Sequence, residues 1–253
     1  MNLIQEELNK SREYGLEFLP EKEGFPSLVK LSLDNVARVE AMIQVDSKYC
    51  KAFDKTAGPI EGKYGGSTAF WMTRLKKYFD THEIINREDK EYIDIITKVV
   101  ESVDRENSTH LNSDGGRRVI KKRILELRKS EILKPLKDRS FSLYELLAKK
   151  TGSKKRARTN PSFASKFCHY ACMFLFEGQK EQDNFSIYDG ILKKMIPHYA
   201  QYYGIKNAKK FSYIEYCELI DEIRKKSSEM TGETISRNGF DHLLWYYYKG
   251  RIN

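Results

Sequence analysis

The chain has 253 residues, 40% hydrophobic and 12% aromatic, which is enough apolar material for one large globular domain or two small lobes. No apolar run reaches the roughly 18–20 residues of a membrane span, and the opening MNLIQEELNKSREYG is polar and mixed in charge, unlike a secretory signal. Net charge is +9, and residues 115–158 hold sixteen Lys or Arg against four Asp or Glu, so the rest of the chain is net −3.

A basic stretch on a mildly acidic remainder points to a polyanion partner, most simply nucleic acid; a solvated helical face is the other reading. The four cysteines (Cys50, Cys168, Cys172 and Cys217) are sparse, as expected for reduced thiols in a cytosolic protein.

Nearly every periodic segment reads as helix. The one short strand signal is FPSLVKLSL, near residue 30. DNVARVEAMIQVDSKYCKAF follows, with Asp34 as cap and Val36, Val39, Met42, Ile43 and Tyr49 at helical spacing. STAFWMTRLKKYF starts at Ser67, and REDKEYIDIITKVVESV carries an Ile/Val stripe. RRVIKKRILELRKSEIL predicts one amphipathic, strongly basic helix. SLYELLAKK opens with a capping box from Ser142 to Glu145. Asn160 caps NPSFASKFCHYACMFLF, with Pro161 at its first helical position. A second capping box, Ser212 to Glu215, starts SYIEYCELIDEIRKK, and SRNGFDHLLWYYYK ends the series. Loops are expected at 16–33, 56–66, 105–115, 152–159 and 177–187. Helices joined by such short links predict an all-α domain over residues 1–253, two-lobed with a cleft between the lobes.

The helix at 160–176 raises a placement question. Its polar residues, Ser165, Lys166 and His169, share one sector of an otherwise apolar surface. Lys166 could snorkel to solvent from the first turn. Alternatively it is desolvated by Phe163, Phe167 and Tyr170, which lowers its pKa and frees the amine as a nucleophile. In FSIYDGIL, Asp189 stands immediately before a helix, where it can cap, act electrostatically, or do both. Cys168 and Cys172 are core cysteines, since no CxxC or HxxxH spacing offers zinc enough ligands. TGSKKRARTNP sets Lys154, Lys155, Arg156 and Arg158 before a helix N-terminus, a place suited to phosphates.

Together these segments resemble the helix-hairpin-helix DNA glycosylases, in particular the archaeal-type 8-oxoguanine glycosylases and their bacterial fold relatives. SFASKFCHYA resembles that family's catalytic-lysine helix and FSIYDGIL its segment with the catalytic aspartate, which implies catalytic roles for Lys166 and Asp189. FDHLLWYYYK is similar to the family's closing helix, implying that Asp241 and Trp245 contact a flipped base. GGSTAFWMTRLKKYF resembles an early helix whose tryptophan, Trp71 here, stacks on that base; Tyr170 completes the implied pocket. The family's glycine-rich hairpin turn is replaced by KKTGSKKRARTNPS, where the four basic residues would contact DNA instead.

The resemblance implies a base-excision enzyme that extrudes an oxidised purine and displaces it through a lysine Schiff base, with lyase activity and no metal or organic cofactor. It further implies double-stranded DNA with a damaged base as partner, no membrane, a monomer, and a cytoplasmic, nucleoid-associated location. A DNA-binding module without activity and a defence enzyme acting on modified phage bases are the alternatives.

Overall fold

A computed structural model describes residues 15–45, 53–60, 64–111, 115–152, 157–206 and 211–249. Among them are ten α-helices: α1 (Leu33–Val45), α2 (Thr68–Thr81), α3 (Lys90–Glu106), α4 (Gly116–Leu125), α5 (Lys129–Lys137), α6 (Ser142–Ala148), α7 (Pro161–Leu175), α8 (Gly190–Tyr202), α9 (Tyr213–Thr231) and α10 (Arg237–Tyr248). A two-residue antiparallel ribbon, β1 (Pro59–Ile60) with β2 (Tyr64–Gly65), pairs Pro59 with Gly65. The fold is therefore all-α. No helix among the described residues is long and apolar enough to cross a membrane.

The chain divides into two compact units, Lys48–Ile187, and Met1–Ser47 with Tyr188–Asn253. The second is discontinuous, and tyrosines tie its N-terminal piece to its C-terminal helices. The Tyr248 hydroxyl accepts from Val29 N at 3.1 Å, and Tyr199 donates to the Val29 carbonyl at 2.8 Å. Asn35, fully buried, holds the backbone of Glu17 from both sides and also donates to the Lys30 carbonyl. Helix α10 packs on α1 and α8 through Phe240, Leu243 and Leu244, all fully buried.

In the Lys48–Ile187 unit, α7 packs on α2, α3, α5 and α6, and twelve of its fifteen residues are buried. The apolar face of α3 (Tyr92, Ile96, Val99, Val103) covers α2. Ser67 caps α2 and Asp89 caps α3 through their side chains, as their residue types favour.

Several local expectations are corrected. The basic segment predicted as one helix is two, α4 and α5. The Glu131 carboxylate accepts from Arg128 N at 2.7 Å and starts a new helix there, and the Lys129 ammonium binds the Phe79 and His82 carbonyls at the end of α2. Ser142 forms no capping box; α6 starts without a side-chain cap, and the Ser142 hydroxyl pairs with Ser140. Asn160 holds the predicted cap position of α7 without capping it. Its amide donates to the Lys149 carbonyl and its oxygen accepts from Thr151, stitching the end of α6 to the start of α7. Asp34 lies inside α1, which starts at Leu33. The stretch near residue 30 makes a single bridge, Phe18 with Val29. The Ser212–Glu215 capping box forms as read.

Candidate functional site

Lys166 is 6% exposed. It does not snorkel: its ammonium donates to the Asn107 carbonyl at 3.0 Å. Asn107 ends α3, where the helix dipole favours a cation. The Asn107 side chain accepts from the Tyr170 hydroxyl at 3.0 Å and donates to the Val103 carbonyl at 3.0 Å. One residue therefore holds Lys166 by its backbone and Tyr170 by its side chain. Burial first, then the nearby Glu106 charge, raises the Tyr170 hydroxyl far above the ordinary tyrosine range, so it stays a neutral donor.

Glu106 accepts from Thr68 N at 2.9 Å and from the Thr68 hydroxyl at 2.5 Å, a carboxylate seated on the first turn of α2. Burial still wins, and its pKa lies above the usual glutamate range. Two residues earlier, burial works against Asp104 but loses to hydrogen bonds from Thr109, Leu111 N and Arg117, at 2.5, 2.9 and 2.6 Å, and its pKa is lowered. Those bonds fix the α3–α4 connection from which Asn107 projects. His169, fully buried, sets its Nδ1 at 3.0 Å from the Phe185 carbonyl. A carbonyl only accepts, so that nitrogen carries the proton.

Trp71 is packed rather than displayed. It is 7% exposed, its indole N–H donates to the Gly65 carbonyl, and its ring meets Phe70 edge-on at 5.1 Å. Gly66 has φ +90°, and a β-carbon there would stand 2.5 Å from the indole nitrogen, so both the backbone and the neighbour require glycine. Arg158 is exposed, and its backbone pairs in both directions with Thr151 in an isolated antiparallel bridge. Lys154, Lys155 and Arg156 lie outside the described residues. Cys168 and Cys172 are buried free thiols, and burial pushes the Cys172 thiol up. Among the described residues no group of three or more His, Cys, Asp or Glu could hold a metal ion.

The remaining candidates belong to the other unit. Asp189 caps α8, its carboxylate accepting from Ile191 N at 2.7 Å. Asp241 is 1% exposed on α10, and Trp245, one turn later, is half-buried with the Lys249 ammonium 3.9 Å from its ring centre. Tyr216 is fully buried on α9. Burial first, then the charges of Asp241 and Asp189 among its neighbours, hold its hydroxyl well above the ordinary tyrosine range. Tyr188 meets Tyr216 edge-on at 4.9 Å. Asp221 accepts from Arg237 at 2.7 Å and from Arg224 at 3.3 Å, anchoring the first turn of α10 that carries Asp241.

Lys166 and Tyr170 thus meet at Asn107 in one unit, while Asp189 and Asp241 belong to the other. Asn107, Glu106 and Tyr216 were missing from the sequence reading. Asn107 sat in an expected loop, and Tyr216 was one aromatic among many in an amphipathic helix. A scan of protein-family models, a search of curated proteins and a search of solved structures each found no match to this chain.

Proposed function

We propose that this chain is a DNA glycosylase with lyase activity, excising an oxidised purine, 8-oxoguanine, from duplex DNA by base flipping. The observation that carries the reading is Lys166: a buried lysine on an apolar helix, its nitrogen tethered at 3.0 Å to a backbone carbonyl. Burying an ammonium is costly, so a site that does so is a candidate for amine chemistry.

In this reading Lys166 first gives up its ammonium proton to solvent, and the amine then attacks the sugar C1′. The C1′–N9 bond breaks, its electron pair leaves with the base, and the base takes a proton. Opening of the sugar ring gives a Schiff base, and loss of a C2′ proton expels the 3′ phosphate by β-elimination. Asp189, ionised, stabilises positive charge on the sugar and assists the proton transfers. Trp245, half-buried, offers its face to the extruded base, and Asp241 accepts from the base edge. Trp71 supports the turn at Gly65–Gly66.

The test is borohydride reduction in the presence of duplexes that each carry one defined lesion, 8-oxoguanine first. The parent protein should be trapped covalently and Lys166→Gln should not, since no amine remains to form the imine. If Lys166→Gln cleaves lesion DNA as well as the parent does, the lysine is structural and the reading fails.

A further inference from the structure

Helix α4 contains five cations and no carboxylate, and the fold sorts the cations by role. Ile120 and Ile124 are fully buried and define the inward face. Arg117 and Arg123 flank that face and are committed to protein partners. Arg117 binds Asp104 at 2.6 Å, and Arg123 donates to the Lys149 and Lys150 carbonyls at 2.9 and 2.8 Å. Arg118, Lys121 and Lys122, at i, i+3 and i+4, share the opposite face. Arg118 and Lys122 are exposed and Lys121 is half-exposed. Lys122 meets Glu126 only at 3.7 Å, in an exposed pair. Arg118 and Lys121 have no carboxylate partner among the described residues.

The Arg123 clamp extends this surface. A guanidinium just past the C-terminal end of α6 lies where the helix dipole favours a cation, and here it fixes the backbone of Lys149 and Lys150 against α4. Both lysines are exposed, and neither has a carboxylate partner among the described residues. Four unneutralised cations are therefore held on a rigid frame, Arg118 and Lys121 on α4, Lys149 and Lys150 bolted to its flank. Like charges so arranged repel one another, a cost that a polyanion removes.

We infer that the outward face of α4, with Lys149 and Lys150, is a sequence-independent seat for the phosphodiester backbone of duplex nucleic acid, separate from the 152–159 loop. The choice of partner rests on the glycosylase reading above. Phosphate contacts of this kind position a protein on the duplex and carry no base information, so the seat serves engagement rather than lesion choice.

The experiment measures binding of the full chain to a fluorescent, undamaged DNA duplex across a salt series. It compares the parent with Arg118→Gln/Lys121→Gln/Lys149→Gln/Lys150→Gln and with a control, Lys225→Gln/Lys226→Gln on α9. The fourfold variant should bind at least about tenfold more weakly near 0.1 M salt, with a log–log slope shallower by about two to four. The control should match the parent. Lys149→Gln/Lys150→Gln alone should give about half the change in slope, which keeps the test open if the fourfold variant folds poorly. Unchanged affinity and slope, an equal loss in the control, or binding to phosphatidylserine vesicles without binding to the duplex would each overturn the proposal. Borohydride trapping of the parent on lesion duplex separates the two readings. If binding follows these cations but the parent never traps, the enzyme reading alone falls; if the parent traps and the cations do not matter, the seat alone falls.

Discussion

The Lys166 ammonium and the Asn107 carbonyl oxygen are 3.0 Å apart, joined by a hydrogen bond that spans 59 residues of sequence. A lysine at this depth is held at the end of α3, where the last carbonyls of a helix lack intrahelical donors. Because Asn107 also accepts from Tyr170, one residue at the end of α3 holds two side chains of α7.

That double role can be measured. Tyr170→Phe removes the hydroxyl and frees the Asn107 amide oxygen, at a cost of about 0.5–1.5 kcal/mol. Asn107→Leu leaves a buried hydroxyl without its acceptor and breaks the bond to Val103, so it should cost more, about 1–3 kcal/mol. The double variant should lose less than the sum of the two, with a coupling of about 0.5 kcal/mol or more in urea denaturation. Strict additivity would mean that the two side chains do not interact.

Asp104 and Glu106 should show opposite pH signatures. The lowered pKa of Asp104 means that its contribution is present above the unfolded value, about 3.9, and is lost as pH falls through the folded value. Asp104→Asn should therefore cost about 1–3 kcal/mol at pH 7, because it weakens the bonds that a buried carboxylate accepts from Thr109, Leu111 N and the partly exposed Arg117, and much less near pH 3. The raised pKa of Glu106 means that the folded state holds its proton longer, so stability falls as pH rises from the unfolded to the folded value. Glu106→Gln, which can still accept from Thr68, should gain on the parent as pH rises through that window. Urea midpoints across pH check both, and parallel curves for the two variants would contradict the assignment.

The two tryptophans should separate by assay. Trp71 is pinned to the Gly65–Gly66 turn, so Trp71→Ala should lower stability by about 3–5 kcal/mol, and Gly66→Ala should destabilise the same turn through φ and the indole contact. Trp245 is half-buried, and Trp245→Ala should weaken binding to lesion duplex by roughly 1–3 kcal/mol while undamaged duplex binds as before. If Trp71→Ala leaves the unfolding midpoint unchanged, its place in the core is wrong. Equal losses on both duplexes for Trp245→Ala would remove it from the pocket.

Periodicity made the helices legible because burial repeats at the helical period, and Ser67, Asp89 and Ser212 cap where their types suggest. Breaks made by long-range partners were harder to see. The α4–α5 boundary depends on Glu131 reaching back and on Lys129 meeting carbonyls of α2, about fifty residues away. At α7, the sequence pattern supplied an apolar helix with a lysine near its start, but the choice between snorkelling and burial lay with Asn107. No residue spacing encodes that choice, since it follows from the packing of α3 on α7. Asp189 stands before a helix in the sequence, and its carboxylate caps that helix through Ile191 N.

The cap and the proposed electrostatic role of Asp189 can be pulled apart. At Asp189 the side-chain oxygen accepts from Ile191 N at 2.7 Å, and asparagine serves as an N-cap about as well as aspartate, whereas alanine loses about 1 kcal/mol. Asp189→Asn should therefore unfold at nearly the parent's urea midpoint, and Asp189→Ala about 1 kcal/mol earlier. If the carboxylate only caps, lesion cleavage in single-turnover assays should survive in the asparagine variant and track stability in both. If its charge stabilises the sugar cation, both variants should cleave slowly despite their difference in stability, by a factor of about a hundred or more, as is usual when a charge or donor aimed at a transition state is removed. Binding to lesion duplex should stay near the parent's in Asp189→Asn, which confines the loss to the chemical step. Full cleavage by Asp189→Asn would reduce Asp189 to a helix cap and leave Lys166 without its proposed catalytic partner.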